Sequence, residues 1–237
     1  MFKPSVVIYT TGRCGSNSVQ RALENEGVAC EPVHYLFPPV EPGYGEDLQA
    51  THDRLERKIT PPFYFISIVR DPIARGISSW FRVHNGERLK SFTAEQAVQS
   101  IVNGGWVEWG LNWWENQLEP AAGRPIEEIL AGVNRYFYNR YNHPNGFGFV
   151  FRTENLLYAE NVLARQFALP KLNITRQNST DSRPDVYKHY RRLLNGMWFP
   201  DDFVSWVYTH PVSVLAYSQV ERESLRWRWT HSPGILT

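Results

Sequence analysis

Apolar and polar positions along this 237-residue chain alternate between two rhythms. Residues 5–10, "SVVIYT", read as a buried strand, and 16–26 as a helix with Val19, Ala22 and Leu23 at helical spacing. "GVACEPVHY" follows as a short strand leaving Gly27. Residues 38–45, "PPVEPGYG", form a Pro/Gly loop, and "EDLQATHDRLERKI" a polar helix. The continuous apolar run "FYFISIV", residues 63–69, predicts a parallel strand buried on both faces. It ends in "RDP", where Pro72 opens a helix through "IARGISSWFR". Thr93 with Gln96 is a capping-box signal for a helix over 94–103. "FGFVF", residues 147–151, is another buried strand, followed by "RTENL" and a helix through Phe167. The remainder, after "LPKLNITRQN", reads as mostly helical. Strand–helix alternation followed by helices predicts an α/β chain. We expect one domain over residues 1–237, with a central parallel sheet flanked by helices and a helical C-terminal part.

Composition narrows the classes. Hydrophobic content of 42% and aromatic content of 14% describe a folded globule. A net charge of +1 argues against a broad nucleic-acid-binding face. Only five of the 25 basic residues are Lys, leaving twenty Arg, whose forked guanidinium suits phosphate or sulfate. A GC-rich genome produces the same skew. Two cysteines, Cys14 and Cys30, cannot build a disulfide framework, and no zinc-type spacing occurs. No apolar run approaches the ~20 residues of a membrane span, and no signal sequence is evident. A reducing, cytoplasmic setting is the expectation.

The candidate chemistry starts at "TTGRCGSNS", between the first strand and its helix. A strand feeding a helix through small residues presents the first helical N–H groups to an anion. Gly12 and Gly15 allow close backbone approach, Ser16, Asn17 and Ser18 add short donors, and Arg13 adds positive charge. An ordinary capped helix start uses similar residues. The pattern is not G-x-x-x-x-G-K-[ST], so a nucleoside triphosphatase is disfavoured. Cys14 could be a lowered-pKa thiol at a helix start, but it reads here as a backbone-donor position. A second stretch, "SIVRDPIARGISSWF", puts Arg70 at a strand end and Ser78 two helical turns on, where both could clamp another phosphate. A local Arg70–Asp71 ion pair and a solvent-facing serine are the plain alternatives.

This ordered pair resembles the two nucleotide-binding motifs of sulfotransferases that use 3′-phosphoadenosine 5′-phosphosulfate. The resemblance implies that Gly12, Arg13, Cys14, Gly15, Ser16, Asn17 and Ser18 hold the 5′-phosphosulfate. It also implies that Arg70 and Ser78 hold the 3′-phosphate, and that the nucleotide-binding topology is P-loop-like. "FVFRTENL" is similar to an Arg-Tyr-Glu-Asp-Leu element of many members. "MWFPDDFVSWVYTHPVSVLAYSQVERE" looks like a group of capsular polysaccharide synthesis proteins in the same superfamily. Cytosolic members carry Lys where Arg13 stands, other branches carry Arg, and the usual C-terminal basic segment is not matched by "WRWTHSPGILT".

Sulfuryl transfer to a hydroxyl needs a general base within hydrogen-bond reach. His34, in "EPVHYLF", is the candidate: some bacterial carbohydrate sulfotransferases have glutamate in a similar setting. Glu31, Glu115 and His84 are reserves, and a hydrogen-bonded loop histidine is the plain alternative. The expected reaction moves a sulfuryl group to a hydroxyl acceptor, a carbohydrate by resemblance, with no metal, no nucleic acid and no membrane span. Two other classes compete. One is a catalytically degenerate nucleotide-binding protein of polysaccharide assembly. The other is a kinase-like phosphotransferase, disfavoured by the missing P-loop lysine. The Trp-rich "WVEWGLNWWENQL" reads as core, with sugar stacking as its alternative, and "RRLLNGMWF" and "SLRWRW" read as helix surfaces with partly buried aromatics.

Overall fold

The computed structural model describes residues 5–38, 47–84, 88–175 and 184–231. The predicted Pro/Gly loop therefore lies almost wholly outside the described residues, as does the end of "WRWTHSPGILT". The chain is α/β, with a five-stranded, mostly parallel sheet in the order β2-β1-β3-β5-β4. Its strands are β1 (Ser5–Tyr9), β2 (Ala29–Val33), β3 (Phe63–Val69), β4 (Tyr138–His143) and β5 (Gly146–Arg152). Four run parallel, and β4 pairs antiparallel with β5 at the edge. The sequence reading had missed β4. "YNRYNH" is polar and its burial is patchy, as befits an edge strand that leaves one face to solvent.

The helices α1 (Ser16–Asn25), α2 (Leu48–Lys58) and α3 (Pro72–Val83) follow β1, β2 and β3 in turn. Pro72 occupies the first turn of α3, where its missing N–H is no loss. Thr93 and Gln96 form both bonds of the expected capping box at Ala94–Asn103. Helices after Pro184 fill the C-terminal part.

By contacts the chain divides into two compact units, Met1–Arg70 with Asn112–Gln177, and Asp71–Leu111 with Asn178–Thr237. The first unit contains the sheet. Strand alternation sorts its side chains: Val6, Ile8, Ile66, Ile68, Phe149 and Phe151 share a core with Val19, Ala22 and Leu23 of α1. Ala159, Leu163 and Phe167, from helix Leu156–Gln166 and its end, complete that core. On the opposite face Tyr9 meets Trp113 edge-on at 4.8 Å. Trp113 and Trp114 are buried, as the core reading of the Trp-rich stretch anticipates.

The second unit is helical, and a buried carboxylate organises it. Asp71 caps α3 by accepting from the Ile73 and Ala74 N–H groups. It also accepts from Tyr208 Oη at 2.7 Å and Trp229 Nε1 at 2.9 Å. Burial and the Asp71 charge push the Tyr208 hydroxyl well above its ordinary pKa, so it stays a donor. Trp229 is fully buried, in keeping with the reading of "SLRWRW" as a helix surface with partly buried aromatics. Trp227, two residues before it, is exposed.

Candidate functional site

The sheet order places the site. The chain leaves β1 for β2 on one side and returns to β3 on the other, so β1 and β3 flank a switch point. In parallel sheets ligands bind beyond the strands' carboxyl ends at such a point. The turn Thr10–Gly15 follows β1 there, Arg70 follows β3, and His34 follows β2.

The turn is built from left-handed backbone. Gly12, Arg13 and Gly15 have φ of 73°, 60° and 91°. At Gly15 the positive φ favours glycine, and a Cβ there would stand 2.9 Å from Leu156 Cδ1, so that side-chain end would have to shift. No side chain caps α1 at Gly15, and a helix's first N–H groups lack intrahelical acceptors. Those of Ser18 and Val19 turn back to the Gly15 carbonyl at 3.0 and 3.3 Å. Arg13 and Asn17 are exposed, whereas Ser16 and Ser18 are buried.

Cys14 faces the other way. It is 1% exposed and belongs to the hydrophobic core. Its Sγ donates to the Gly12 carbonyl at 3.2 Å, a bond that requires the protonated thiol.

Two side chains tie the turn to β3. Arg70 Nη1 donates to the Arg13 carbonyl at 2.7 Å. Thr153 Oγ1 donates to the Cys14 carbonyl at 2.9 Å and lies 3.3 Å from the Val69 carbonyl. Thr153 belongs to "RTENL", and the sequence reading gave it no role. Its neighbour Arg152 is buried, 3.9 Å from Glu154, with its guanidinium 5.5 Å from the Phe137 ring centre.

His34 sits half-buried beside the turn. The Thr10 N–H donates to the Val33 carbonyl at 3.1 Å, which draws the two strand ends together. His34 Nδ1 then lies 2.9 Å from the Thr10 carbonyl. A carbonyl only accepts, so Nδ1 carries the proton and Nε2 is the basic nitrogen.

The reserves are placed differently. Glu31 is buried and ion-paired with Arg54 and with Lys58, the latter at 2.8 Å. Glu115 is exposed on a π-helical turn, Trp114–Leu118. His84, in the second unit, stacks on Trp80 at 4.5 Å and lies 3.0 Å from the Trp80 carbonyl. Ser78 also belongs to the second unit, half-buried on α3. The first unit brings together Gly12–Ser18, His34 and Arg70.

Arg70 and Asp71 look to different partners, Arg13 and the core of the second unit respectively, in place of a local pair. Among the described residues no His, Cys, Asp or Glu cluster is grouped to hold a metal ion, and no helix is long and apolar enough to cross a membrane. No family model, curated protein or solved structure matches this chain.

Proposed function

We propose that this chain is a sulfotransferase using 3′-phosphoadenosine 5′-phosphosulfate, acting on a hydroxyl acceptor of carbohydrate type. The observation that carries the reading is the Arg70–Arg13 hydrogen bond at the switch point. It joins the two stretches that resemble the family's phosphate motifs, in a P-loop-like strand–turn–helix setting without a P-loop lysine.

The donor supplies an activated sulfuryl group on a phosphate leaving group. The turn's N–H groups and Arg13 hold that end and offset the charge developing on the bridging oxygen as its bond to sulfur breaks. Arg70 takes the 3′-phosphate. The acceptor hydroxyl gives its proton to His34 Nε2 as its oxygen bonds to sulfur. Charge and proton are both accounted for, and what the chain adds is chiefly position.

Thermal-shift measurements with three nucleotides test this. Adenosine 3′,5′-bisphosphate should raise the melting temperature clearly, adenosine 5′-phosphate much less, and ATP with Mg²⁺ little. Equal shifts with the first two would remove the basis for the reading. A dominant, Mg²⁺-dependent ATP shift would turn it toward phosphoryl transfer.

A further inference from the structure

The most heavily engaged side chain near His34 is not one that the motifs single out. Gln117 is uncharged, 1% exposed, and carried on the π-helical turn Trp114–Leu118. Its Oε1 accepts from Tyr9 Oη at 2.9 Å and from the Leu36 and Phe37 N–H groups, both at 3.0 Å. Its Nε2 donates to the Phe37 carbonyl. One carboxamide thus spends both ends holding the segment after His34 against β1. Trp113, just before the π turn, adds a bond from Nε1 to the His34 carbonyl at 2.6 Å.

These bonds have a directional consequence. Residues 34–37 leave β2 without a ladder partner of their own, so their path is set by what grips the backbone. Gln117 grips it after His34, Trp113 grips it at His34, and the Thr10–Val33 bond grips it before. Along that path the imidazole places Nδ1 on the Thr10 carbonyl. A π turn inserts an extra residue into a helix at some cost, and such turns gather at functional sites. Here the turn presents a hydrogen-bonding amide where a leucine could have filled the space.

We propose that Gln117, assisted by Trp113, is a positioning residue that fixes the His34 ring in its Nδ1–H tautomer. The inference rests on the reading of His34 as proton acceptor, but its primary test does not require catalysis. Nitrogen-15 spectra of the imidazoles, with His34→Ala providing the assignment, report the tautomer in the free protein. Wild type should show His34 almost wholly as Nδ1–H at a pH where it is neutral. Gln117→Met, close in volume and unable to make the four bonds, should move the His34 nitrogens toward a mixture of tautomers. Affinity for adenosine 3′,5′-bisphosphate should stay within about twofold, since the phosphate contacts come from other elements.

If Gln117→Met does not fold, Trp113→Phe keeps an aromatic ring there, loses the bond to the His34 carbonyl with part of the indole packing, and should shift the tautomer in the same direction. An unchanged tautomer in the folded variants, with only a lowered melting temperature, would make Gln117 a packing residue and overturn the proposal. A wild type that holds the tautomer but does not bind the nucleotide would sink the sulfotransferase reading alone.

Discussion

At position 13 a non-glycine residue stands in left-handed backbone, with φ of 60°. Such a conformation costs on the order of 1–3 kcal/mol and persists only where surroundings impose it. Arg70 is one partner there, its guanidinium holding the Arg13 carbonyl. The outcome is an exposed cation at the mouth of a helix start. The charge itself was legible in "TTGRCGSNS", because Gly, Arg and Ser each declare their physical use. Thr153 and Gln117 were not legible, since they act through backbone carbonyls and N–H groups tens of residues away. No local pattern announces such a partner. The sharpest residue-scale prediction concerns His34. His34→Ala should lower turnover of the nucleotide donor with a saccharide acceptor by about 10²–10⁴-fold, as loss of a general base does. Affinity for adenosine 3′,5′-bisphosphate should hardly change. Near-normal turnover in that variant would remove the base assignment, and paired Glu31 would be a poor substitute.

Among the elements, β3 and β5 could be read directly, because a strand buried on both faces leaves an unbroken apolar run. Strand β4 could not, because its outward residues are polar and its inward fit depends on a partner. Tyr141 fits only because position 148 on β5 is glycine: a Cβ there would come within 1.9 Å of the Tyr141 ring. The end of this hairpin carries a pH-sensitive group. His143 Nε2 lies 3.0 Å from the Ala121 carbonyl, and its Nδ1 accepts from the Asn145 N–H at 3.1 Å. Those two bonds need the neutral ring. Burial lowers the His143 pKa below its ordinary value, only partly offset by the Ala121 carbonyl. Unfolded chain therefore takes up a proton near pH ~6.5 while the folded hairpin still resists it. The stability owed to neutral His143 should be full above that pH and fall as pH drops toward the lowered folded value. Denaturant midpoints at pH 7.5 and 5.5, compared between wild type and His143→Gln, measure it. The variant should lose less on acidification; an equal loss would show that His143 is not the group responsible.

On the scale of the whole chain, α/β alternation was legible, and the order β2-β1-β3-β5-β4 was not. Strand order follows from which faces of which helices pack, and no single stretch encodes it. Yet that order gives the two motifs their meaning, by placing the ends of β1 and β3 at one switch point. The division into two units likewise has no marker in composition, since the boundary at Arg70–Asp71 interrupts a continuous strand–helix signal. Asp71 is committed to the core of its unit through Tyr208 and Trp229, and Arg70 to the turn after β1.

The central claim is that Arg70 serves a separate 3′-phosphate as well as bracing the turn, and a four-point binding comparison separates those roles. Calorimetry would measure adenosine 3′,5′-bisphosphate and adenosine 5′-phosphate on wild type and on Arg70→Ala. Loss of the brace should weaken both nucleotides alike. Loss of a charge-assisted contact should weaken the bisphosphate by a further ~1.5–3 kcal/mol. A loss shared by both nucleotides, with an additional penalty of that size for the bisphosphate alone, is the predicted result. The same penalty for both nucleotides, or no preference for the bisphosphate in wild type, would contradict the account.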